Sequence, residues 1–107
     1  MTVKQIRAFL AVAQSLSFAV ACERLHLSQS ALSLTIKALE ESLGGRLFSR
    51  TTRNVALTAE GESLLPLARR LIADWDNAED EMRQRFTLQR GRVTLAAMPS
   101  FAGNLLP

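Results

Sequence analysis

Gln29, Ser30, Ser33 and Lys37 place an amide, two hydroxyls and an ammonium group in one short stretch. At 100° per residue they fall on one side of a helical wheel, with Gln29 at its edge and Leu34 among them. Leu32, Ile36, Leu39 and Leu43 fall within about 60° of one another on the other side. A carboxamide can bind an adenine edge at two points, and a hydroxyl can donate or accept there. Ser28, just ahead, can cap the helix, whose free NH groups and partial positive charge suit phosphates. Leu34 suits contact with a thymine methyl or packing against a neighbour. Glu40 and Glu41 follow a turn or more later and are expected to point away from phosphates. Further along, Arg50 and Arg53 are long, permanently charged donors, suited to phosphates or to a narrow minor groove.

Other chemistries find no support. One histidine, His26, and one cysteine, Cys22, cannot make a four-ligand zinc site or an internal disulfide. There is no glycine-rich phosphate loop or nucleophile elbow, and Ser28 has no base spaced to activate it. The chain reads as a non-enzyme that needs no cofactor. The opening MTVKQIRAFL lacks a signal peptide's apolar run. No stretch reaches the ~18 apolar residues of a membrane helix, so a cytoplasmic protein without a membrane partner is expected. Through Leu57, seven Lys or Arg face three acids; from Thr58, six Arg face seven acids. A basic first half joined to a balanced second half fits a nucleic-acid module with an appendage.

The elements that must position these groups are mainly helical. Thr2 and Gln5 have capping-box spacing ahead of a first helix to Ser15, with Ile6, Phe9, Leu10 and Ala13 on its buried face. Ser17 can cap a short second helix, Phe18 to Leu25, where Ala19, Ala21 and Cys22 let another helix approach closely. His26 and Leu27 make a turn, and His tolerates positive φ there better than most residues. The third helix runs from Ser28 to about Leu43 and ends at Gly44–Gly45. Two helices joined by about three residues match the helix-turn-helix layout. Residues 46–50 and 54–57 then read as two short strands around a basic tip.

Thr58 can cap a last, long helix to roughly Gln89. Leu64, Ala68, Leu71, Trp75, Ala78 and Met82 recur at 4, 3, 4, 3 and 4, a heptad seam. Arg85 falls at the next seam position, where Phe86 can take over. The seam implies a partner helix, most simply that of a second copy; folding back on its own domain is the other reading. Pro66 is expected to kink or loosen the first turns. Gly91 to Met98 alternates like an opening strand, and the chain reads as a fragment of a longer regulator.

The residues Ser17-Phe18, Ala21, Leu25, Ser28-Gln29, Ala31-Leu32-Ser33, Ile36, Leu39-Glu40, Leu43-Gly44, Leu47-Phe48, Arg50 and 57–61 (LTAEG) resemble the N-terminal signature of LysR-type transcriptional regulators. The resemblance covers residues 3–90. It implies a winged helix-turn-helix DNA-binding domain over 1–57 and a linker helix over 58–90 that pairs in a homodimer. It also implies the start of a truncated effector-binding domain over 91–107. Carried onto matching positions, it places Ser28, Gln29, Ser30, Ser33 and Lys37 at the major groove, with Arg50 and Arg53 in the wing. It further implies a promoter-binding dimer or tetramer controlled by a small-molecule effector held in the absent domain. Ser30 departs from the pattern, since many members have Pro there, and Cys22 stands where a second Ala is usual. A helix-turn-helix used for protein interaction without DNA is the competing reading.

Overall fold

The computed structural model describes residues 1–51 and 54–94, with side chains to Gln89. Its order is α1 (Val3–Ser15), α2 (Phe18–Leu25), α3 (Gln29–Leu43), β1 (Phe48–Arg50), β2 (Val55–Leu57) and α4 (Ala59–Thr94). Mainly helical, with a small hairpin after α3, this is the winged helix-turn-helix architecture expected from the sequence.

Local chemistry sets each boundary. Thr2 Oγ1 accepts from the Gln5 amide at 3.1 Å and Gln5 Oε1 accepts from the Thr2 amide at 3.0 Å, a complete capping box. Ser17 Oγ accepts from Val20 N, and Ser28 Oγ from Ala31 N, each at 3.1 Å. Each helix of the head ends on a left-handed residue: Leu16, His26 and Gly44, at φ 51, 57 and 89. His26 thus makes the tight turn of the helix-turn-helix. Leu16, an unusual residue for that conformation, was not foreseen.

Phe9, Val12, Leu32, Ile36, Leu39 and Phe48 form the fully buried centre of the head. The Phe48 ring lies 5.4 Å from Phe9 and 6.2 Å from Phe18, centroid to centroid, so the hairpin is anchored by an aromatic from β1. Cys22 is buried in the head's core, as its setting suggested. The strands pair antiparallel, Phe48 with Leu57 and Arg50 with Val55. They are shorter than expected, beginning at Phe48 and Val55 rather than Arg46 and Asn54.

The described residues up to Ile72 form one compact unit, and those from Ala73 to Thr94 belong to a second. In the first, Ala68 is fully buried with the head's core, and Leu64, Leu65 and Ile72 pack against it. Ala68 is spent inside the head and Leu64 is half-buried, because α1, α2 and α3 need the start of α4 to close their core. α4 continues through Pro66. It also continues to Thr94, where a strand was expected from Gly91. An existing helix extends at one hydrogen bond per added residue, which outweighs weak local β preference. The rest of that expected strand, 95–98, lies outside the described residues.

Candidate nucleic-acid interface

α3 is two-faced. Leu32, Ile36 and Leu39 are wholly inside, while Ser28, Gln29, Ser30, Leu34 and Lys37 are exposed and Ser33 is half-buried. Leu34 is 66% exposed, so the packing role considered for it is not met within the head. Ser28 uses an oxygen lone pair as the cap of α3 and keeps its own proton to donate. Gln29 and Ser30 occupy the first turn, where the helix's free amides converge.

A cleft of about 570 Å³ runs from the middle of α3 to the root of the hairpin. It brings Ser33, Leu34 and Lys37 together with Glu41, Arg46 and Arg50. Ser28, Gln29 and Ser30 lie outside its lining, nearer the helix start. Arg53 lies outside the described residues. Between the strands, Thr51 N donates to Asn54 O at 2.9 Å and Asn54 N donates to Thr51 Oγ1 at 3.0 Å.

Of the two acids, Glu40 does turn away from the open side of α3, into the protein, whereas Glu41 does not. Glu41 lines the cleft beside Lys37 instead of pointing away. Glu40 is 6% exposed and faces inward. Its Oε2 accepts from Leu47 N at 2.8 Å and Phe48 N at 3.3 Å. Arg46 Nε stands 3.8 Å and Arg50 Nη2 3.9 Å from its oxygens. Sequence reasoning missed this residue. The available signal was its place next to buried Leu39, at the edge of the apolar face. Arg50 is also more engaged than foreseen, with its guanidinium carbon 4.6 Å from the Phe18 ring centroid.

The description that matches residues 3–62 is the bacterial regulatory helix-turn-helix protein, lysR family. The chain belongs to the LysR family. Among its LysR-family relatives, the Hca operon transcriptional activator HcaR of Escherichia coli K12 is 43% identical over 108 residues. That match covers 100% of this chain and 36% of HcaR. The HTH-type transcriptional regulator YbhD of the same organism is 43% identical over 95% of this chain and 32% of its own length. The chain therefore spans about a third of each of these two relatives. Among solved structures, the CbnR DNA-binding domain, crystallised with DNA, superposes with a TM-score of 0.74 at 36% identity. It covers 79% of this chain and 98% of that one.

In the second unit, Trp75, Ala78, Met82 and Phe86 line a shallow groove with Glu79 and Arg83. Trp75 and Met82 are 47% and 48% exposed. Phe86 continues the apolar row where the seam position holds Arg85, whose Nε donates to Glu81 Oε2 at 3.1 Å. Leu71, in the first unit, is likewise exposed. Among the described residues no group of His, Cys, Asp and Glu could hold a metal ion, and no helix is long and apolar enough to cross a membrane.

Proposed function

We propose that this chain is the DNA-binding part of a cytoplasmic transcription regulator with no catalytic role, reading a promoter as a homodimer. The observation that carries the proposal is the division of α3: Gln29, Ser30, Leu34 and Lys37 open to solvent, Leu32, Ile36 and Leu39 locked inside. Such a ridge enters a major groove with an amide, hydroxyls, a methyl-bearing side chain and a cation toward the bases and phosphates. Ser28, Gln29, Ser30, Ser33 and Lys37 contact DNA from α3. Arg53 reaches phosphates or the minor groove from the hairpin tip, and Arg50 serves the same interface from its root. Supporting this, the similar CbnR domain was crystallised with DNA, and HcaR is named a transcriptional activator.

Leu71, Trp75, Ala78 and Met82 pair with their counterparts in a second copy, with Phe86 extending the contact. Exposed large apolar groups at helical spacing favour burial against a like surface. Pairing doubles the reading surface and sets the spacing of two half-sites. A small-molecule effector acts in the intact regulator, which assembles further into a tetramer, through a C-terminal domain. The greater length of the relatives supports that arrangement.

The test is fluorescence anisotropy with duplexes that the chain enriches from a randomised pool, against scrambled duplexes, at several salt concentrations. Specific, salt-sensitive binding is expected. Absence of any salt-sensitive DNA binding overturns the proposal in favour of a protein-interaction module.

A further inference from the structure

Glu40 is the only buried charged residue among those described, and it lies on the helix proposed to read DNA. A carboxylate taken out of water persists only when strong donors replace its hydration. Here they come from the hairpin side. The amides of Leu47 and Phe48 donate to Oε2, and Arg46 and Arg50 approach the two oxygens. Arg50 in turn lies over Phe18 of α2, and Phe18 meets Phe48 edge-on. α2, α3 and β1 are thereby tied at one point, at the base of the hairpin. The clasp thus holds β1, the base of the wing, against α3.

We infer that Glu40 and Arg50 are positioning residues for DNA reading: they fix the wing's angle to α3, and Arg50 acts through Glu40 and Phe18 rather than as a phosphate donor. The inference rests on the DNA-binding reading above and gives it a mechanism. A Lys37 or Arg53 contact gains affinity from charge directly. The clasp gains specificity by holding two reading elements in one geometry, so that helix and wing engage the same duplex together.

The two accounts of these residues differ in sign. On charge alone, neutralising an acid beside a DNA-binding face tightens binding to every duplex. If Glu40 positions the wing, the same change weakens the selected duplex. Lysine at position 50 also discriminates, because it keeps the charge but loses the planar fork that faces Glu40 while stacked on Phe18.

The experiment uses the full chain and its Glu40→Gln, Arg50→Lys and Arg50→Gln variants. Affinity is measured for the duplex enriched from a randomised pool and for its scrambled counterpart, over a salt series. Exchange of the Leu47 and Phe48 amides is followed by NMR. Glu40→Gln and Arg50→Lys are each expected to weaken the selected duplex about tenfold, with little change on the scrambled one. The salt slope stays as in the wild type, and the two amides exchange faster while the α1 amides stay protected. Tighter binding of both duplexes by Glu40→Gln overturns the inference. So does an Arg50→Lys variant equal to the wild type, coupled with a salt slope lowered by about 1 in Arg50→Gln. If the wild type binds neither duplex, the DNA reading itself fails. The amide exchange then judges the clasp alone, and unchanged rates in the variants contradict it.

Discussion

Gly61, in the first turn of α4, lies directly against the carbonyl of Leu47, the residue that leads into β1. A Cβ on Gly61 would collide with that oxygen and crowd the Leu57 side chain. The same carbonyl accepts from Thr58 N at 3.0 Å, and Thr58 Oγ1 both accepts from Gly61 N and donates to Arg46 O. The start of α4 is thus fitted to the hairpin at backbone distance, and Gly61→Ala forces a backbone shift. It is expected to cost about 2 kcal/mol, lowering Tm by roughly 10 °C. Thermal melting followed by circular dichroism checks it, and an unchanged Tm contradicts the close fit.

Gly44 and Gly45 separate two roles that sequence alone merges. Gly44 caps α3 at φ 89, a conformation that costs an L side chain about 1 kcal/mol or more. Gly45 has no left-handed backbone, and a Cβ there meets open space. Gly44→Ala is expected to lower stability measurably in urea melts, whereas Gly45→Ala leaves it unchanged or slightly raised. Equal losses at both positions would contradict the assignment of the cap.

Trp75 is the largest exposed apolar group on the second unit. If it anchors the dimer, Trp75→Ala weakens self-association by about 2 kcal/mol or more, about 30-fold in the dimer dissociation constant. Sedimentation equilibrium reads this directly. Ala68→Ser serves as a contrast: it acts on the head's stability, because Ala68 is inside the core. A Trp75→Ala chain that dimerises like the wild type would remove the seam from the account.

Arg53 falls between the two strands in the sequence, and its expected contribution is charge without base identity. Arg53→Ala should weaken all duplexes alike and lower the salt slope by about 1. Anisotropy titrations at several salt concentrations check it. A loss confined to the selected duplex would instead make Arg53 a reader of groove shape.

The features legible in the sequence were those whose partners lie within one helical turn. Thr2 with Gln5, Ser17 with Val20, Ser28 with Ala31 and Thr58 with Gly61 are all three residues apart, so type and spacing sufficed. The two faces of α3 were legible for the same reason as far as Leu39; Leu43 shares that side by periodicity but is 47% exposed, because it stands in the last turn, past the core that covers Leu39. Glu40 was not legible, because its donors lie seven and eight residues on, across a chain reversal that no helical wheel represents. The heptad spacing through Ala68 showed correctly that this side of α4 is apolar. Spacing does not say what covers an apolar side, and at Ala68 the answer is the head itself.

The central claim is that the open side of α3 reads bases, and Gln29→Ala tests it most directly. Gln29 is exposed, supports no core contact and does not serve as the cap, so its loss should leave the fold intact. Affinity for the selected duplex is expected to fall by about 1–3 kcal/mol with scrambled DNA scarcely affected. An equal loss on both duplexes, or no loss on either, would contradict the account.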